Sequence, residues 1–203
     1  MDQIKKFIME NNIQRLEDKV SLPKDEFSPY KWQAPVIQQP NHVKEYVKLI
    51  GMFDAVIQEI AVVEYPCMFG PPSIQKNSWT FEFDNPIVLI TTHGNFEITF
   101  NESSSVRISK NSIPEKFYCS VEDLARCHLQ EPFSHLIGEK ITGITVHEQT
   151  FDTADFDFTG SCGIDLPYDL PAYIKEMRLH LESGRYLSFS SDFDWGIISL
   201  LDS

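Results

Sequence analysis

The sequence predicts a β-rich α+β fold: two related antiparallel β-meander halves, packed as a sandwich or partly closed barrel, with an N-terminal helix and a short helix preceding each half. Three observations carry this expectation. Short runs of β-branched and aromatic residues alternate with polar ones, turn residues separate the runs, and one pattern of strands recurs along the chain. With 203 residues, 42% of them apolar, the chain is long enough to bury a core without metal or disulfide support.

Taken in order, Ile4, Phe7, Ile8, Ile13, Leu16 and Val20 approximate a helical period and predict an amphipathic helix over residues 3–18, docked by its apolar stripe. From Ser21 to Pro40 four prolines, Pro23, Pro29, Pro35 and Pro40, break any helix, so the reading is an extended arm with Phe27, Tyr30 and Trp32 as packing anchors. Asn41 opens a helix through Val43, Val47 and Leu49, and Ser120-Val-Glu-Asp123 has the form of a capping box ahead of a helix over 121–129. Strands are expected near 55–64, 78–84, 87–92, 95–101, 104–109, 140–149, 175–182, 185–190 and 195–201. Turns at Asp84-Asn-Pro86, His93-Gly-Asn95 and Glu182-Ser-Gly184 join them as antiparallel hairpins.

The recurrence is ordered. Leu49-Ile50-Gly51 returns as Leu136-Ile137-Gly138, and Ile57-Gln-Glu-Ile60-Ala-Val62-Val-Glu64 returns as Ile141-Thr-Gly-Ile144-Thr-Val146-His-Glu148. Further on, Trp79-Thr-Phe81-Glu-Phe83 aligns with Met177-Arg-Leu179-His-Leu181, and Phe96-Glu-Ile98 with Trp195-Gly-Ile197. The organisation read from this is an N-terminal helix and proline-rich arm over 1–41, a first β repeat over 42–118 and a second over 119–203, together one compact unit.

Seventeen basic residues against thirty acidic ones give a net charge of −13, which repels phosphate backbones and anionic lipid and attracts basic surfaces. Nucleic acid is not expected as a partner. No run of 18 apolar residues occurs and the N-terminus lacks a hydrophobic signal core, so a cytoplasmic chain with no membrane association is expected. Its four cysteines are read as reduced thiols.

Motifs for chemistry are incomplete. Asp155-Phe-Asp157-Phe-Thr159-Gly160 matches the start of a calcium loop, but Leu166 stands where the bidentate glutamate belongs. Cys119, Cys127, His128 and His135 offer zinc donors, yet adjacent Cys127 and His128 diverge by about 100° on a helix. No metal and no cofactor is therefore expected. The chain has neither a G-x-S-x-G elbow nor a phosphate-cradling glycine loop, and Ser161-Cys-Gly163 with His147 upstream is not a defined catalytic spacing. Phe189, Phe193 and Trp195 alternate as core residues of a sheet do.

What stands out is an acidic, aromatic insertion in the second half, with Asp152, Asp155, Asp157, Asp165 and Asp169, and a stiff Met68-Phe69-Gly-Pro-Pro loop in the first. These seven residues form the candidate surface for a protein partner, a basic one in particular. In size, charge and expected residence the chain resembles the immunity proteins, small acidic inhibitors of toxins, and the resemblance implies a non-enzymatic inhibitor or adaptor. The alternative is a hydrolase acting on a sugar or ester between the halves, with Glu64 and Glu148, at matching repeat positions, as its carboxylate pair.

Overall fold

The computed structural model describes residues 2–22, 25–63, 73–75, 78–83, 86–101, 105–120, 133–149, 173–192 and 195–201. Its elements, in chain order, are α1 (Gln3–Glu10), β1 (Arg15–Leu22), β2 (Asp25–Ile37), α2 (Pro40–Leu49), β3 (Ile57–Val63), β4 (Ser73–Gln75), β5 (Ser78–Phe83), β6 (Ile87–Thr91), β7 (Gly94–Asn101), β8 (Ser105–Lys110), β9 (Tyr118–Ser120), β10 (Ile141–Gln149), β11 (Tyr173–Leu181), β12 (Tyr186–Asp192) and β13 (Trp195–Leu201). Two 3₁₀ turns, Glu115–Phe117 and Phe133–Leu136, precede β9 and β10. The expected helix over 121–129 lies outside the described residues.

The first helix ends earlier than the spacing predicts. Asp2 caps it by accepting the amide of Ile4, and Phe7 is buried against His42 and Tyr46 of α2, so the helix is docked as its stripe requires. Asn12 then takes a φ of 50°, a left-handed conformation that asparagine tolerates, and the chain turns into β1. Leu16 and Val20 are four residues apart, a spacing that keeps one face in a helix and in a strand alike. The expected arm is likewise a strand: β2 pairs with β1 from Arg15↔Pro35 to Leu22↔Asp25. Pro35 is tolerated there because a β-hairpin leaves alternate amides outside the ladder. Trp32 is buried, as an anchor should be.

Both sheets are antiparallel. One runs β1-β2-β8-β7-β6-β3-β9 and the other β10-β11-β12-β13-β5-β4, and among the described residues neither closes into a barrel. They pack face to face as a sandwich, β7 against β12 and β13 and β8 against β11, with α2 lying against both β2 and β10. Ile57, Ile60, Leu89, Phe96, Ile98 and Ile108 from one sheet meet Val146, Met177, Leu179, Phe189, Ile198 and Leu200 from the other in a single core. Burial in that core pushes the Tyr46 hydroxyl up to about 12, against an opposing effect of Arg15.

The two sheets share one strand order. Each has a long strand (β3 or β10), a three-stranded meander (β6-β7-β8 or β11-β12-β13) and a hairpin attached to the last meander strand (β2-β1 or β5-β4). The long strands match in detail. Ile60 pairs with Leu89 as Ile144 pairs with Leu179, and a register irregularity falls between Ile57 and Glu59 in one and between Ile141 and Gly143 in the other. Gly51 and Gly138 both hold positive φ, 74° and 91°, which explains the glycine in both Leu-Ile-Gly turns. The entries to β3 and β10 bond to each other: Asp54 donates its amide to Ile141, Ile141 to Ala55, Ile57 to Glu139 and Gly138 to Ile57.

Beyond the long strands the expected alignment is corrected. β5 does not correspond to β11; it joins the second sheet, where Phe81 pairs with Ile198. The partner of Met177–Leu181 in the common order is β6, and Leu187–Phe189 of β12 takes the place assigned to Trp195–Ile197 opposite Phe96–Ile98. Alternation assigns a face to each strand but not a neighbour, which is why the sequence pattern admitted the wrong pairing.

Candidate functional site

Of the candidate residues read from sequence, Asp152, Asp155, Asp157, Asp165, Asp169, Met68, Phe69 and Glu64 lie outside the described residues. Glu148 is exposed near the end of β10, opposite Ile174. Cys119 is half-buried on β9 and His135 is exposed in the second 3₁₀ turn, while Cys127 and His128 lie outside the described residues. Among the described residues, no group of three or more His, Cys, Asp or Glu side chains gathers as a metal site, and no helix is long and apolar enough to cross a membrane.

The polar chemistry that the structure brings together lies on the outer face of the six-stranded sheet. Val146, Met177, Leu179, Leu181, Leu187 and Phe189 point into the core, so alternation turns Thr145, His147, Glu176, Arg178, His180, Tyr186, Ser188 and Ser190 outward. Three adjacent strands thus present one continuous polar surface. Glu176 is at its centre: Ser188 donates to Oε1 and an Arg178 guanidinium nitrogen lies 2.8 Å from Oε2. Burial acts to raise the Glu176 carboxyl, but the hydrogen bonds from Arg178 and Ser188 and the charges of Arg178 and His147 outweigh it and hold the group below the usual carboxylate range. The same contact raises Arg178.

Beside that pair, His180 Nε2 lies 2.6 Å from Thr145 Oγ1, and its ring meets Tyr186 edge-on at 5.0 Å. The Arg178 guanidinium lies 6.0 Å from the centre of the Tyr186 ring. Every one of these outward groups except the buried Ser188 is half-buried. Since both Glu176 oxygens are engaged, the arrangement suits recognition by prearranged hydrogen-bonding groups better than proton transfer by an unengaged base.

The outer face of the seven-stranded sheet is built differently. Glu97 on β7 is completely buried and accepts from Ser109 Oγ at 2.6 Å, the Ser112 amide at 2.8 Å, the Ile113 amide at 3.1 Å and the Tyr118 hydroxyl at 3.2 Å. Trp32 Nε1 donates to the same Ser109 at 2.8 Å, and Arg107 lies over the Trp32 ring at 4.4 Å. Trp32, Ala34, Ala61, Val63, Val88, Ile113 and Phe117 form a second apolar cluster around this network. Burial and the Glu97 charge raise the Tyr118 hydroxyl, keeping it a donor. The carboxylate fastens the segment that leads into β9.

Neither polar face was singled out from sequence, although one signal was present. Once Met177, Leu179 and Leu181 are assigned to the core, Glu176, Arg178 and His180 must share the opposite face of β11, and a polar triplet in a strand marks an outer surface. Phe189, by contrast, is the core residue that its alternation predicts. Comparison of the chain with models of protein families, with curated proteins and with solved structures returned no match.

Proposed function

We propose that this chain is a non-enzymatic binding protein, an inhibitor or adaptor of the immunity type that works in the cytoplasm on a basic protein partner. What supports the reading is the charge of the acidic insertion between β10 and β11. Gln149 and Tyr173 pair at the ends of β10 and β11, so the stretch of sequence between them, with Asp152, Asp155, Asp157, Asp165 and Asp169 and no lysine or arginine, connects two neighbouring strands of the polar outer face. A net charge of −13 adds long-range attraction for a basic surface. Met68 and Phe69 complete the proposed contact as apolar anchors.

The test is capture of basic proteins from the native host on the immobilised chain, followed by association kinetics with the captured protein from 0.01 M to 0.15 M ionic strength, over which the Debye length falls from ~30 Å to ~8 Å. Association is expected to slow steeply with salt. The variant D152N/D155N/D157N keeps shape, removes three charges and is expected to lose most of that dependence. Unchanged association of the variant at low salt rejects the acidic insertion as the contact, and turnover of a sugar or ester substrate by the purified chain rejects the non-enzymatic reading.

A further inference from the structure

We infer that the outer edge of β10, unpaired among the described residues, is a docking edge, at which the partner adds an extended, basic segment as a further strand of the six-stranded sheet; this deepens the reading of a basic protein partner and rests on it. The argument begins with the shared strand order. In the seven-stranded sheet the long strand β3 is followed outward by β9, which pairs Ala61 with Ser120, Val62 with Cys119 and Val63 with Tyr118. The register that matches Ile60 to Ile144 makes Thr145, Val146 and His147 of β10 the counterparts of those three residues. Among the described residues nothing pairs with them on that side. The antiparallel contact with the first half stops at the start of β10, at the bridge between Val56 and Lys140 and the bonds to Ile141.

An edge strand offers a row of backbone donors and acceptors that proteins ordinarily cover, twist away or charge. Two of the usual protections are missing from this stretch: Gly143-Ile144-Thr145-Val146 carries no charge and no proline. Gly143, Ile144, Thr145 and His147 are half-buried, and Thr142 and Glu148 are exposed. Strand addition is a recurrent way of recognising an extended peptide, with the ladder supplying affinity and alternate side chains supplying selectivity.

Charge selects the occupant. A second copy of the chain would bring a second charge of −13 to the edge, and its β10 would run into an identical aspartate-rich continuation. A basic segment meets attraction instead. Its outward side chains would lie beside Thr145 and His147, with Glu176 one strand further in, and its inward ones beside Ile144 and Val146.

The experiment uses the full chain and two synthetic ten-residue peptides. One alternates Lys and Val; the other has the same lysines with proline at the two central valines, which keeps the charge and removes two ladder donors. The alternating peptide is expected to bind at least ten-fold more tightly, and to slow amide hydrogen exchange within residues 141–149. Equal affinity of the two peptides would mean attraction by charge without strand addition, overturning the docking edge while leaving the basic-partner reading in place. Binding of neither overturns both. Amides of 141–149 already protected in the free chain to the level of β12 would show the edge to be covered within the molecule, and a dimer of the free chain in sedimentation would assign it to a second copy; either result overturns the proposal.

Discussion

Glu97 and Glu176 stand on the outer faces of two sheets that share a strand order, and each accepts a hydroxyl from a serine one strand away. Their surroundings differ. Glu97 is sealed beneath the segment from Ser112 to Tyr118 and accepts from backbone amides and hydroxyls. Glu176 keeps part of its surface in solvent and is matched by Arg178. A buried carboxylate that accepts several hydrogen bonds fixes the position of what donates to it, because every donor left unmatched in the interior is costly. A partly exposed ion pair, with 15% of the Glu176 side chain and 34% of Arg178 in solvent, fixes less and leaves its groups within reach of solvent. The same strand arrangement therefore builds a structural joint on one side of the sandwich and a surface open to recognition on the other.

The strongest way to break that contrast is to delete both carboxylates in turn. Glu97→Ala leaves the amides of Ser112 and Ile113 and the hydroxyl of Ser109 without their acceptor, while the Tyr118 hydroxyl keeps the Ile113 carbonyl, and the expected loss is roughly 3–5 kcal/mol. For a chain of this size that lowers the melting temperature by roughly 10 °C. Glu176→Ala removes a partly exposed pair and the acceptor of Ser188, and is expected to cost about 1–2 kcal/mol. Chemical denaturation of both variants measures the difference. Equal losses would mean that the two faces are not the joint and the open surface described here.

The glycine turns sharpen the comparison from the side on which the halves agree. Gly51 and Gly138 have similar positive φ, and a side chain at either is strained whatever the space around it. A Cβ would meet Lys110 Nζ at 3.7 Å at Gly51 and nothing within 4 Å at Gly138. Since neither site adds a clash, Gly51→Ala and Gly138→Ala should each cost about 1–2 kcal/mol, from backbone strain alone. A difference of more than about 1 kcal/mol between them in denaturant unfolding would show that the two turns are not one device used twice.

How much of this was legible in the sequence follows from which interactions are local. The match of Ile57–Glu64 to Ile141–Glu148 is visible in the residues because strand alternation and the preceding glycine turn are both local, and the observed register is the same from Ile57 to Val62 and from Ile141 to Val146. β5 was misplaced because its alternation fits any antiparallel neighbour, and its partner Ile198 is more than a hundred residues away. β9 has three residues, too few to show a period. Of the polar faces, the residues were legible but their burial was not. Glu97 reads as an ordinary outward alternate of β7, and only the return of Ser112–Tyr118 over it makes it a core group.

The smallest effect separates the two carboxylates by pH. The Glu176 carboxyl is held below its ordinary value of 4.5, so the folded state binds its proton less readily than the unfolded state does. By linkage the stabilisation is complete above the unfolded value and is lost as pH falls through the lower, folded one. Glu176→Gln keeps the shape and a hydrogen-bonding side chain but has no proton to gain. The difference in melting temperature between the parent and this variant should therefore be constant from about pH 7 to pH 5, shrink as pH drops below about 4.5, and vanish in stronger acid. Glu139, also held low against the opposing effect of burial by its hydrogen bonds from Arg185 and Ser183, contributes to the acid sensitivity of both proteins and cancels in the difference. Parallel melting curves for parent and variant across the whole acid range would mean that Arg178 and Ser188 do not hold the Glu176 charge in solution, and the polar face would lose the prearrangement on which its use in recognition depends.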